Sequence, residues 1–219
     1  MSYLAYKNQI LYTPPKDPAN EVANYDTVYD PFESSAIYNT EGAGVMNFVY
    51  KGNLIPYMTS NTAPSGVASA SSDRNSYYAA WYAMDGVMTD RYARVGWTVD
   101  DSDTTPWIAY EWGNDKLITL TKIILTTVNY SPVSNFSFID QQRNIIIEGL
   151  TDQDVWENCL NTGNSITLDF KFNKYVDYYI DLNEQDYKAI RIRGIDNLAW
   201  SNYDTTKTFM CYINNIIVL

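Results

Sequence analysis

The 219-residue chain contains no histidine. That absence excludes a Ser-His-Asp triad, a Cys-His pair and any zinc site built on imidazole. Catalysis would have to run on carboxylates, tyrosines or lysines. Cysteine is nearly as scarce: Cys159 and Cys211 have no CxxC spacing, and each lies in an apolar stretch. Buried free thiols are expected rather than a bridge. Positive charge is also short, with 15 Lys and Arg against 26 Asp and Glu and a formal net charge of −11. Nucleic acid needs a basic footprint, so it is not an expected partner. Docking on an anionic membrane is disfavoured for the same reason, while neutral or cationic partners and metal cations stay open. No apolar run is long enough to span a bilayer. The start, "MSYLAYKNQILYTPPKD", lacks the basic start and long apolar run of a secretory signal. The expectation is a protein made and folded in a cytoplasm, without membrane insertion.

Rings, by contrast, are abundant: 20 Tyr, with Trp 6 and Phe 7. They suit strands, and they suit contact surfaces where an apolar body carries a polar tip. Residues 1–52 read apart from the rest, because "TPPKDPANEVANYDTVYDPFESS" is rich in Pro, Asp and Asn with little periodicity. This segment reads as an extended N-terminal arm, either an anchor to a larger assembly or a leader, with "GVMNFVY" (44–50) able to supply one strand. From about residue 53, short β-favouring runs alternate with polar turns: "PWIAYEW", "LITLTKIILTTV", "RNIIIEG", "SITLDFKF", "VDYYIDL", "YKAIRIRG" and "FMCYINNIIVL". Ile190 and Ile192 alternate with Arg191 and Arg193, as a half-buried antiparallel strand requires. The pattern predicts an all-β sandwich or jelly roll. Only "SYYAAWYAMDG" (76–86) reads as a short helix, stopped by Asp-Gly.

Residues 54–219 resemble a discoidin-type domain, the coagulation factor C-type or galactose-binding-like jelly roll. The landmarks run in order: "LIPYMTSNTAPSGVASASS", "YYAAWYAMDG", "GWTVDDSDTTPWIAYEWG", "NIIIEGLTDQDVWE", "YKAIRIRGI" and "INNIIVL". The resemblance implies an eight-stranded antiparallel jelly-roll sandwich whose loops at one end bind ligands. It also implies a mostly non-catalytic module for glycan binding or adhesion. In many such domains the Asp-Gly turn helps hold structural calcium. On that pattern Asp85, Thr89 and Asn215 are the candidate metal residues. Val87 stands where the family commonly has Asn or Asp, Asn215 stands where its closing strand usually offers Glu, and Asp90 could compensate. The other reading is a turn in which Asp85 caps local amides.

For a glycan, an exposed ring in a polar loop is the natural platform. The candidates are Trp200 and Tyr203 in "DNLAWSNYDTTK", Tyr130 and Phe136 in "NYSPVSNFSF", and Tyr92 and Arg94 after the Asp-Gly turn. Trp97, Trp107, Trp112 and Trp156 fall at landmarks that read as structural packing. The acids in "DDSD" (100–103) and "TDQD" (151–154) crowd turns, where carboxylates are usually solvated and do not share a cleft. The reading is a non-enzymatic binding module, expected as a bacteriophage virion component such as a head-decoration, fibre, tail or baseplate element. The arm would contact other virion proteins and the jelly roll would face host-surface glycans, in an oligomeric or multicopy particle. A free carbohydrate-binding protein and a purely architectural subunit stand as alternatives.

Overall fold

The computed structural model describes residues 23–29, 35–40, 45–50, 52–89, 96–129, 140–171, 175–203 and 208–219, with the backbone alone for 23–50, 88, 89, 202, 203, 208 and 209. The fold is all-β and antiparallel, as the alternating runs predict. In chain order the strands are β1 Ala23–Tyr29, β2 Ser35–Thr40, β3 Val45–Tyr50, β4 Val67–Ala70, β5 Val87–Thr89, β6 Trp107–Glu111 and β7 Ile118–Asn129. They continue with β8 Gln141–Leu150, β9 Trp156–Asn158, β10 Ile166–Phe170, β11 Val176–Tyr187, β12 Ala189–Gly194, β13 Ser201–Tyr203 and β14 Thr208–Val218. Three of these lie inside the segment read as an arm. β1, β2 and β3 form a meander, and β3 pairs with β5 through Val45–Thr89, Met46–Met88 and Asn47–Val87. Residues 45–47 are thereby hydrogen-bonded to the strand that follows the Asp-Gly turn.

Two further sheets carry the core. One runs β10-β8-β12-β6-β4 with β9 beside β8, and the other runs β11-β7-β14-β13. The chain changes sheets at Lys188, between β11 and β12. There the Lys188 amide donates to Leu150 O at 2.8 Å, and its ammonium pairs with Asp154 at 2.9 Å and Asp115 at 3.5 Å. Period-two alternation decides what each strand buries. Ile108, Ile145, Ile147, Ile190 and Ile192 point inward from the first sheet; Leu120, Ile123, Leu125, Ile213 and Ile216 meet them from the second. Cys159 and Cys211 are free and fully buried, as expected, and burial pushes each thiol up to about 12.

Rings close the ends of this core. Trp200 lies against Trp97, with centroids 6.1 Å apart, and against Phe170 at 5.4 Å edge-on. Gly149 on β8 is required by packing, because a Cβ there would fall 2.3 Å from the buried Tyr187 ring. Gly96 combines φ +107 with a close approach: a Cβ would meet Ile213 O at 2.3 Å, where Trp97 exchanges backbone bonds with Ile213. The expected helix is a single 3-10 turn, Ala80–Ala83. Asn75 accepts the amides of Tyr77 and Tyr78, and Ala79 is extended, so one tight turn is all that remains before β5.

Candidate functional site

Leu54 hydrogen-bonds Val218 near the end of β14, whereas Ser201 pairs with Met210 near its start. The turns gathered at that second end form a connected polar network. Ser71 and Ser72 donate their hydroxyls to Asp103 Oδ2 at 2.6 and 2.7 Å, and Asp103 Oδ1 accepts the Thr105 amide at 2.9 Å. Trp97 Nε1 donates to Ser72 O at 3.0 Å, tying the network to the core below. These bonds fix the two turns, 71–78 and 100–105, against each other.

On that support stands a cluster of a different kind. Arg74 NH1 donates to Ser201 Oγ at 2.7 Å and lies 3.2 Å from Asp101 Oδ1, to which Ser201 Oγ also donates. The guanidinium is largely buried, with 17% side-chain exposure, while the Asp101 carboxylate is 43% exposed. Asp100 beside it accepts the Ser102 amide and hydroxyl, and those bonds hold its carboxyl below the ordinary carboxylate range. In the same turn as Arg74 stands Tyr77, whose side chain is among the most open apolar surfaces described, at 66%. The end therefore offers an exposed ring, a fixed guanidinium and two carboxylates. A ring face takes the apolar face of a sugar, and paired donors and acceptors take its hydroxyls.

No known family profile matches the sequence, and no curated protein does. Solved structures with a similar course of the chain do exist. A chitosan-binding module from a chitosanase/glucanase of Paenibacillus sp. IK-5 is 17% identical over 73% of this chain and 98% of its own, at a TM-score of 0.42. The Clostridium perfringens module CpGH89CBM32-5, in complex with GalNAc-β-1,3-galactose, is 12% identical over 70% of this chain and 94% of its own, at 0.43. The Streptococcus pneumoniae β-galactosidase BgaA structure is 13% identical over 77% of this chain and 98% of that one, at 0.48.

The ring candidates chosen from the sequence fall differently. Tyr92, Arg94, Tyr130 and Phe136 lie outside the described residues, and Tyr203 is described by its backbone alone, in β13. Trp200 is a correction: at 1% exposure its ring fills the core between Trp97 and Phe170 and offers no face to a ligand. Its loop is pinned from below by the buried Arg143, which donates to Ala199 O. Tyr77 lies inside the stretch 76–86 that reads as a short helix, so the sequence pattern does not single it out as a loop ring. Its signal was present: "DRNSYY" places a ring in a polar turn, the same criterion that selected Trp200.

Of the metal candidates, Asp85 Oδ1 accepts the Val87 amide at 2.8 Å, an Asx-type turn across Gly86 at φ 70. Asn215 is buried on β14, directly after the irregularity that separates it from Ile213 in the pairing with β7. β14, which carries Asn215, packs against both the 3-10 turn and β5, the two elements on either side of Asp85, and β5 carries Thr89; the Thr89 side chain lies outside the described residues. Among the described residues no three of His, Cys, Asp or Glu converge. The acids of 100–103 and 151–154 are divided among separate partners: Asp101 with Arg74, Asp103 with serines and Asp154 with Lys188.

Proposed function

We propose that this chain is a non-catalytic saccharide-binding module whose ligand face is the loop end around Arg74, Tyr77 and Asp101. The observation that carries it is an exposed ring, Tyr77, three residues along one loop from a guanidinium already fixed by Ser201 and Asp101. Preorganised donors of this kind do not have to be ordered when the ligand arrives. Neutral sugars fit best, since the hydroxyl donors of a sugar meet Asp100 and Asp101 while Arg74 meets its oxygens. A glycan array probed with the full chain should return neutral oligosaccharides. Tyr77→Ala should weaken binding by roughly tenfold, the loss of about 1–1.5 kcal/mol of ring contact, with the melting midpoint unchanged. A clean negative array would sink the reading.

The finer reading keeps this module on a virion, displaying the loop end outward. Detection of the chain in purified particles is its test. Calcium belongs to the same proposal. Asp85 would supply a carboxylate and Asn215 a carboxamide, and main-chain carbonyls would complete the six to eight oxygens the ion takes. Under this proposal the midpoint of thermal unfolding rises with added calcium and drops with a chelator. A midpoint indifferent to both removes the ion.

A further inference from the structure

The outer face of the six-stranded sheet carries a second arrangement, remote in kind from the loop end. Cross-strand register sets Ser69, Ala109, Arg191, Glu148 and Asn158 in one row, and Trp107, Arg193 and Ile146 in the next. Glu148 lies beneath two arginines, its side chain 8% exposed. Arg193 grips it with both arms of the fork, Nε to Oε2 at 3.0 Å and NH2 to Oε1 at 2.8 Å. Arg191 adds Nε and NH2 to Oε2 at 2.8 and 2.7 Å, and its guanidinium lies 4.2 Å from the centroid of the Trp156 ring.

One arginine would have neutralised this carboxylate. The second leaves a net positive charge in a chain whose formal charge is −11. Among the described residues neither NH1 group has a hydrogen-bond partner, and the Arg193 side chain is 36% exposed. Beside it on the same face, Trp107 and Trp156 are half-buried, and their indole N–H groups make no hydrogen bond among the described residues. The acids bordering this face have their own partners or lie off-centre: Asp103 accepts from Ser71 beside Trp107, Asp196 accepts the Asn144 amide, and Glu111 pairs with Ala189 in the row that holds Leu150 and Trp156. Free guanidinium donors prefer a carboxylate, bound in a fork, to a hydroxyl. The Trp107 ring opposite Arg193 suits the apolar face of a sugar, while Trp156 carries Arg191 on one face.

From this we infer a binding site for a carboxylate-bearing saccharide on the outer sheet face, centred on Arg193, with Trp107 as its cross-strand neighbour and Trp156 beyond Arg191. The site differs from the loop end in place and in the charge of its ligand, and it stands whether or not the loop end binds. The test titrates the full chain with an oligogalacturonate and, separately, with its methyl ester, which keeps the shape and removes the charge. Backbone and indole NMR signals are followed throughout. The acidic sugar should shift the Trp107 and Trp156 indole and Arg193 Nε signals, and the ester should not. Arg193→Gln should weaken binding by roughly tenfold or more, and Arg193→Lys should recover part of it, because charge returns without the fork. The wild-type shifts serve alone if Arg193→Gln fails to fold. Shifts confined to residues 71–78 and 100–105, equal binding of the ester, no binding at all, or an oligoglutamate peptide binding as tightly as the sugar would each overturn the assignment.

Discussion

Trp200→Ala is expected to lower the unfolding free energy by about 3–5 kcal/mol, the range for truncating a large buried ring. Against a typical total of roughly 5–15 kcal/mol this is a large share. The ring is 1% exposed and touches Trp97 and Phe170, elements of both halves of the core. Its backbone carbonyl accepts the Cys211 amide at 2.8 Å, so the cavity opens beside the start of β14. The loss is moderated because the Trp200 indole N–H is buried without a hydrogen-bond partner among the described residues. Trp200→Phe discards that unsatisfied donor along with part of the volume, and should cost less than Trp200→Ala, under about 2 kcal/mol. Urea unfolding of both variants measures the difference. A residue acting through ligand contact would behave otherwise, with stability within about 0.5 kcal/mol of wild type and binding lost.

Trp200 also shows where sequence reading reaches its limit. Strand positions were legible because alternation and burial are the same fact: Ile190 and Ile192 could only face inward if Arg191 and Arg193 face out. The free, buried state of Cys159 and Cys211 followed from apolar neighbours in the same way. Loop rings have no such period. "DNLAWSNYD" is polar around its tryptophan, yet Arg143 and the Ser201–Met210 pairing turn the segment inward. Those contacts are long-range and leave no local trace. Trp107 and Trp156, read as packing, lie half-buried on the outer face, Trp107 one position out of phase with the buried Ile108 and Trp156 against the Arg191 guanidinium. The strands of residues 23–40 were masked by their Pro, Asp and Asn content, which reads as turn wherever pairing is not known.

Removing the carboxylate beneath the two arginines is expected to produce the other large effect. Glu148→Ala should destabilise the chain by about 2–3 kcal/mol at neutral pH. That is less than the ~3–5 kcal/mol of a fully buried pair, since the Arg191 and Arg193 side chains keep 19% and 36% of their surface in water. The wild-type pH dependence follows from the same contacts. Burial pushes the Glu148 carboxyl up, but hydrogen bonds and charge from Arg193 and Arg191 together outweigh it and hold the group below its ordinary value. A carboxyl that titrates lower in the folded than in the unfolded chain contributes fully above the unfolded value, about 4.3. That contribution is lost as pH falls through the folded value. Wild-type stability should therefore decline below about pH 4.3, with a share assignable to this residue. Glu148→Gln keeps the shape and removes the charge, so it should start lower at pH 7 and lose less on acidification. Urea midpoints taken down the pH series compare the two directly. Parallel curves for wild type and Glu148→Gln would mean that the arginines draw no stability from this carboxylate.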